Sequence, residues 1–172
     1  GSILLETGND GGGGGGTEAG SAPIRVGKLT TTGTGEISID AEGDVTVMSA
    51  LTTGDVSVAD VNGNQTAQSA DITITAGGLV NIAATGSITT GDATITGSDS
   101  GNDTERAISG NISITSGSAG GVTVDGTVTT GNAEVLVDVD SSGNSDERAT
   151  TGNITVTAGT SVSGDGRLIT GN

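Results

Sequence analysis

A short motif, Thr-Thr-Gly or a close variant, recurs along the chain every 16 to 21 residues. Each copy before the last is followed by a stretch in which apolar and polar residues alternate. The closing residues of these segments are Gly54, Ala70, Gly91, Gly110, Gly131, Gly152 and Gly171. Within a segment such as 71–91, Ile72 and Ile74 flank Thr73, which is the period-two pattern of a strand with one buried face. Thr90, just before the closing glycine, falls on the same face as Ile88 and is predicted to point inward and hydrogen-bond there.

Repeats of this length with short strands indicate a solenoid, in which strands of successive turns stack in parallel. The crossover rule favours a right-handed coil. The fold class predicted is therefore all-β, a right-handed parallel β-helix (solenoid) of about seven to eight turns of 16–21 residues. An alternative joins each pair of segments into one wide turn of roughly 35–42 residues, which is also a solenoid period. Two narrow turns are preferred because both halves end in a similar Thr-Gly corner.

The solenoid is predicted over 24–172, where alternate segments contain a middle strand at 45–47, 80–82, 122–124 and 161–163. The other segments carry polar loops instead, at 60–68, 98–106 and 138–148. Residues 1–23 include six consecutive glycines, 11–16, and are predicted to be a flexible lead-in or N-terminal loop, within which 2–6 is a candidate strand beside the first ordered turn. We expect a fragment of a longer protein, whose terminal strand edges would favour end-to-end self-association.

The side-chain inventory narrows the function classes. With 5 basic and 21 acidic residues the net charge is −16, which argues against nucleic acid as a partner. No apolar run is long enough for membrane insertion. His, Cys and Tyr are absent, so nucleophile–base pairs cannot be built and no enzyme activity is expected. No cofactor is predicted, calcium excepted.

The segments GNISITSGS (110–118) and GSITTGDATIT (86–96) resemble the repeats of filamentous-haemagglutinin-type bacterial exoproteins. The resemblance covers roughly residues 36–172. It implies a right-handed parallel β-helix, two-partner-type secretion and a place outside the cell or on the bacterial surface. It further implies a non-catalytic shaft of an adhesin, with cell-surface or extracellular-matrix partners and no catalytic residues to carry over.

The sequence suggests two kinds of binding site, a calcium site and an ice-binding face. For each, the simpler interpretation is an ordinary polar turn or a solvated strand face. The acidic loops alternate Asp and Asn around a turn glycine, as calcium loops do, although turns favour the same residues. Two loops of this kind are expected about 10 Å apart along the solenoid, too far to share an ion. The candidate calcium ligands are Asp138, Asp140, Asn144, Asp146, Asp99, Asn102 and Asp103, and Arg106 and Arg148 are the alternative neutralising groups.

Outward hydroxyl pairs suggest an alternative function as an ice-binding, antifreeze-like solenoid. The candidate residues are Thr73, Thr75, Thr94, Thr96, Ser113, Thr115, Thr155 and Thr157. Thr and Ser are also favourable occupants of any solvated strand face, which is the simpler interpretation.

Overall fold

The computed structural model describes residues 1–7, 23–59, 63–99, 103–139 and 146–172, with the side chains of 98–99 and 138–139 left aside. These residues form parallel strands in five sheets and contain no helix. The all-β class with stacked parallel strands is therefore confirmed.

Three sheets contain five strands each. Sheet A consists of β1 (Ile3–Thr7), β4 (Ile37–Ala41), β9 (Ile72–Ala76), β14 (Ile112–Thr115) and β19 (Ile154–Thr157). Sheet B consists of β2 (Ile24–Val26), β5 (Val45–Val47), β10 (Val80–Ile82), β15 (Val122–Val124) and β20 (Val162–Ser163). Sheet C consists of β3 (Leu29–Thr30), β6 (Ala50–Thr52), β11 (Ser87–Thr89), β16 (Thr127–Thr129) and β21 (Arg167–Ile169).

Two further sheets contain three strands each. Sheet D consists of β7 (Val56–Ala59), β12 (Ala93–Asp99) and β17 (Ala133–Val139). Sheet E consists of β8 (Gln65–Gln68), β13 (Thr104–Ile108) and β18 (Asp146–Thr150). The chain visits the sheets in the order A, B, C, D, E and then returns to A, and we call one such passage a layer. The first layer (β1–β3) and the fifth layer (β19–β21) contain only strands of sheets A, B and C.

The strand register decides the size of the repeat. Ile37 pairs with Ile72, Ile72 with Ile112, and Ile112 with Ile154, so each layer is as long as two of the predicted turns. The prediction of narrow turns is wrong, and the wide-turn alternative holds. The two halves of a layer resemble one another locally, but their strands never pair, because each half adds to its own sheets.

The polar segments predicted as loops also contain strands. β8, β13 and β18 occupy their C-terminal parts, and each carries only one small apolar inward residue, Ala67, Ala107 or Ala149. One alanine per strand is too little to reveal a period-two alternation in the sequence. It is enough to fill the interior, because sheets D and E face each other closely. Residues 3–7 lie in the predicted lead-in, where 2–6 is the candidate strand, and they form β1 and pair with β4. The glycine run 11–16 lies outside the described residues.

The interior divides into two apolar clusters. The larger lies beneath sheets A, B and C and is lined by fully buried aliphatic columns such as Ile39, Ile74 and Ile114. The smaller lies between sheets D and E, around Ile95, Ala67 and Ala107. In-register stacking places like residues above one another about 4.8 Å apart, so Val, Ile, Leu and Ala fill the space without any aromatic side chain. We call the region around the larger cluster lobe 1 and the region around the smaller cluster lobe 2.

Candidate functional site

The two lobes meet at a waist, where the chain leaves sheet C and later returns to sheet A. Within one layer, Thr53 donates its Oγ1 hydrogen to the carbonyl oxygen of Ala70 across the waist at 3.0 Å. The same Oγ1 accepts a hydrogen bond from the N–H of Gly91 in the next layer at 3.0 Å. One buried hydroxyl therefore satisfies one backbone group across the waist and one above it.

This hydroxyl pattern repeats along the waist. Thr90 Oγ1 donates to the carbonyl oxygen of Gly110 at 2.9 Å and accepts from the N–H of Gly131 at 3.0 Å. Ser69 Oγ donates to the carbonyl oxygen of Gly91 at 2.6 Å. These hydroxyl residues are at most 1% exposed, which confirms the prediction that the residue before the closing glycine points inward.

The closing glycines are required by close approach between layers. A Cβ built on Gly91 would lie 2.1 Å from the carbonyl oxygen of Gly54 in the layer below. The same Cβ on Gly110 would lie 2.0 Å from the carbonyl oxygen of Ala70. The backbone itself is ordinary at these positions, because neither glycine has a positive φ. Glycine is therefore selected here by space and not by backbone conformation.

Asp and Asn at the start of each half-layer form two ladders along the waist. The side-chain oxygen of one residue accepts a hydrogen bond from the backbone N–H of its counterpart in the next layer. One ladder runs Asp55, Asp92, Asn132, Asn172 with N–O distances of 2.9, 2.7 and 3.0 Å. The other runs Asp71, Asn111, Asn153 with distances of 2.6 and 2.9 Å. Carboxylates and amides thus share two ladders bound to the main chain, instead of forming separate acidic and amide stacks.

The calcium candidates fall partly outside the described structure. Asp140, Asn144 and Asn102 lie outside it, and so do the side chains of Asp99 and Asp138. Of the remaining two, Asp103 accepts a hydrogen bond from the N–H of Gly63 at 2.7 Å, and Asp146 pairs with Arg148 at 2.8 Å. Within the described ranges no group of three or more carboxylates is arranged to hold a metal ion.

Arg148 neutralises the charge of Asp146, which is the role that the sequence analysis offered for this arginine as the alternative to calcium. The side-chain hydrogen bond from Arg148 lowers the pKa of Asp146 below its usual value. The resulting stabilisation is present above the unfolded pKa and is lost as the pH falls through the lower folded value. Both side chains are more than half exposed, so the pair contributes little to folding.

The strands that flank the two acidic loops are closer together than the spacing predicted for the loops. β12 pairs directly with β17, and β13 pairs directly with β18. Strands that flank these loops are therefore one strand spacing apart, about 4.8 Å, and not the predicted value of about 10 Å. The difference follows from the wide repeat, in which the loops belong to adjacent layers.

The ice-binding candidates divide between two sheets. Sheet A brings together Thr73/Thr75, Ser113/Thr115 and Thr155/Thr157 as outward pairs in three consecutive layers. Thr94 and Thr96 lie on sheet D, between Ser57/Ala59 and Glu134/Leu136. Sequence reasoning missed a second hydroxyl column, Thr30, Thr52, Thr89 and Thr129 on sheet C, whose spacing becomes visible only with the wide repeat.

A buried acidic side chain in lobe 2 was also missed. Glu105 is fully buried and pairs in register with Gln65 below and Glu147 above. The available signal was its place two residues before Ala107, on the inward face of β13.

No helix among the described residues is long and apolar enough to cross a membrane. Family models, curated proteins and solved structures were compared with the chain, and none of them matches.

Proposed function

We propose that this chain is a rigid, non-catalytic segment of a bacterial cell-surface adhesin or secreted haemagglutinin-like exoprotein, folded as a right-handed parallel β-helix. The supporting observation is the in-register repetition of sheets A, B and C through five layers. Right-handed crossover is the rule for parallel strands joined within one sheet, which supports that hand here. A stack built in this way grows in one dimension, as a spacer requires.

The hydrogen bonds between layers make the stack resistant to bending. Parallel backbone hydrogen bonds tie each layer to the next. From the second layer to the fifth, the waist hydroxyls and the Asp/Asn ladders add further bonds between layers. Bending the stack would break several of these bonds at once, and buried polar groups without partners are costly. A shaft that holds a binding site away from a cell surface needs this resistance.

The side-chain inventory supports a role without turnover. The chain has no His, Cys or Tyr, and only five basic residues. Its net charge of −16 favours solubility and disfavours nucleic acid as a partner. We place the protein outside the cell or on the bacterial surface, where its partners are cell-surface or extracellular-matrix molecules.

The spacer function predicts that length follows layer number. Duplicating residues 111–152, which span one layer from sheet A to the waist, should lengthen the particle by about 4.8 Å in small-angle X-ray scattering. Placed between a surface anchor and a domain of known ligand, the duplicated chain should extend the reach of that domain. A flexible Gly/Ser linker of equal residue number is the control, since its mean end-to-end distance is not fixed. Unchanged particle length, or catalytic turnover by the chain alone, would contradict the proposal.

The outward face of sheet A supports ice binding as a second candidate function. Three consecutive layers present Ser/Thr pairs, and the register fixes neighbouring layers about 4.8 Å apart. β-branched threonine is rigid at χ1, so such hydroxyls and methyls form a regular array.

Sheet A and sheet D distinguish this candidate from a plain solvated face. Thr115→Tyr on sheet A should abolish thermal hysteresis and ice shaping, because it interrupts the array in its middle layer. Thr94→Tyr on sheet D is the matched control and should leave both unchanged. Absence of thermal hysteresis in the unmodified chain, or equal loss in both variants, rejects ice binding by sheet A.

A further inference from the structure

Lobe 2 is missing from the first layer, where a short turn inside the chain takes its place. Residues 31–36 join β3 to β4 and so connect sheet C directly to sheet A. In that turn Thr31 Oγ1 donates to the carbonyl oxygen of Gly35, which is 4 residues away. Thr53 makes the same bond to Ala70 across the waist of the second layer, 17 residues away. The waist is therefore closed in the first layer without any strand of sheet D or E.

This turn leaves the lower side of lobe 2 open. β7 and β8 are the lowest strands of sheets D and E, and among the described residues no strand pairs with either of them from below. The open side is set by the connection at 31–36, so it does not arise from either end of the sequence. Unpaired strand edges are places where an extended chain adds to a sheet.

The backbone of β8 presents hydrogen-bonding groups on this open side. Ser69 directs its N–H upward, to the carbonyl oxygen of Ile108 in the next layer at 3.1 Å. Successive residues of a parallel strand bond to opposite neighbours, so the N–H and C=O groups of Thr66 and Gln68 face downward. Both residues are exposed. An extended segment under β8 can therefore repeat the pairing that β8 makes with β13 above it.

Aliphatic side chains line the interior just above the open side. Val56 and Val58 on β7 point inward but are only half-buried. Their partners one layer above, Ala93 and Ile95, are fully buried. Inward side chains of a segment under β8 would lie below Ala67 and cover the two valines. The interior therefore requires aliphatic residues at alternate positions of that segment.

An acidic notch lies at the waist end of β8. Its volume is about 220 Å³, and Glu36 and Asp71 line it together with Gln68. Small-molecule pockets usually measure about 300–1,000 Å³, so the notch suits a single side chain better than a whole small molecule. The Glu36 carboxylate has no hydrogen-bond or ion-pair partner within the described ranges, and Asp71 uses only its Oδ1, to accept from Asn111. Two such carboxylates favour a lysine or arginine side chain.

Charge distinguishes between the chains that could occupy this side. The protein has a net charge of −16, so a second copy would be repelled, whereas a basic segment of a different protein is attracted. Arg106 lies one layer above Thr66, away from the waist, so a cation is attracted only at the waist end of β8. In a parallel addition that end receives the residues that follow the aliphatic positions.

We propose that the lower side of β8 is a docking site for an extended segment of a partner protein, which adds to sheet E as a parallel strand. The segment carries aliphatic side chains at alternate positions, followed by a lysine or arginine that enters the notch between Glu36 and Asp71. The site rests on the open strand edge and the notch, and it is independent of the adhesin assignment.

Fluorescence anisotropy with a labelled peptide tests the site. The probe is the blocked peptide Val-Thr-Val-Thr-Ser-Gly-Lys, which has the alternation of the chain's own strands and ends in a basic residue. It should bind the unmodified protein saturably, and the same peptide with Glu in place of Lys should bind more weakly. In hydrogen exchange, the amides of Thr66 and Gln68 should become protected when the Lys peptide binds, because they face the open side.

Two matched double variants test the notch. Glu36→Gln with Asp71→Asn removes both carboxylate charges and keeps the ladder, in which asparagine already serves as acceptor. This variant should weaken binding of the Lys peptide by about 2- to 30-fold, the range for two exposed ion pairs. Asp44→Asn with Asp92→Asn removes the same charge away from the notch and also keeps both acceptor oxygens. It should leave binding unchanged.

Backbone methylation of the peptide separates strand pairing from charge attraction. In the docked peptide the two valines direct their N–H groups toward β8, as inward residues such as Val56 and Ser69 do toward the next layer. N-methylation of both valines should abolish binding. N-methylation of both threonines is the control and should be tolerated, because their N–H groups face away from β8. The protein is unchanged in this test, so its folding is not affected.

Several results would overturn the proposal. Absence of saturable binding by the Lys peptide would do so, and so would equal binding of the Lys and Glu peptides or equal effects of methylation at valine and threonine. Equal behaviour of the two double variants would exclude the notch. Unchanged exchange at Thr66 and Gln68 with saturating peptide would exclude the lower side of β8. The spacer experiment measures particle length without peptide, so its outcome is separate from all of these.

Discussion

Replacing Thr90 by valine should destabilise the protein through the waist. Valine has nearly the same shape, so packing is conserved while the hydroxyl is lost. The carbonyl oxygen of Gly110 then loses its donor, and the N–H of Gly131 loses its acceptor. Both glycines are buried, and each unsatisfied buried group costs about 1–3 kcal/mol. The expected loss in the free energy of unfolding is therefore about 2–6 kcal/mol in total.

Urea and thermal unfolding, followed by far-UV circular dichroism, measure this loss. For a chain of this length each kcal/mol lowers Tm by about 2–4 °C. Thr90→Ser is the rescue variant, because it keeps the hydroxyl and removes about one methyl group, at a cost of about 0.8 kcal/mol. Thr89→Val is the matched control, because Thr89 is half-buried on the outward face, and its hydroxyl has no hydrogen bond within the described structure.

A local measurement separates this mechanism from general loss of stability. The amide hydrogen of Gly131 should exchange with solvent faster in Thr90→Val than in Thr90→Ser, because its acceptor is gone. If Thr90→Val and Thr89→Val differ by less than about 0.5 kcal/mol, the waist hydroxyls do not contribute as we have reasoned. Unchanged exchange at Gly131 would lead to the same conclusion.

Three further predictions concern the corners, the core and the acidic loops. Gly91→Ala should be severely destabilising because its Cβ would lie 2.1 Å from a carbonyl oxygen, whereas Gly27→Ala, with nothing within 4 Å, should barely change Tm. Ile114→Asp should prevent cooperative folding, as seen by circular dichroism, because it places a charge in the aliphatic core, while Thr115→Asp should be tolerated. Millimolar calcium should raise Tm by several degrees only if the acidic loops bind it; a rise that Asp140→Ala abolishes supports a site, and identical melting curves with calcium and chelator reject it.

Much of the inward face was predictable from the sequence because burial repeats with the period of the strand. Ile72 and Ile74 alternate with Thr73, and the structure buries both isoleucines and turns the threonine outward, as a period of two requires. The inward direction of Thr90 follows from the same alternation. These are local properties: a strand has two faces, and its own side chains indicate which one is buried.

The pairing of strands was decided only by the tertiary structure. The corners at Thr53 and Ser69 look alike in sequence because both cross the same waist, and both need an inward hydroxyl beside a small residue. That likeness suggested two turns where there is one. The hydrogen-bond partner of a strand depends on which lobe the chain has entered, and the local sequence does not carry that information.

The same physical reason governs the candidate sites. Thr73 and Thr94 have nearly identical surroundings in sequence, yet Thr73 lies on sheet A and Thr94 on sheet D. The sequence alone determined that strands alternate, that hydroxyls and aliphatics point inward and that a small residue, glycine everywhere except Ala70, closes each corner. Only the stacking of whole layers decided which residues become neighbours, because neighbours in this fold are a full layer apart in sequence and are brought together by backbone hydrogen bonds, which carry little information about side-chain identity.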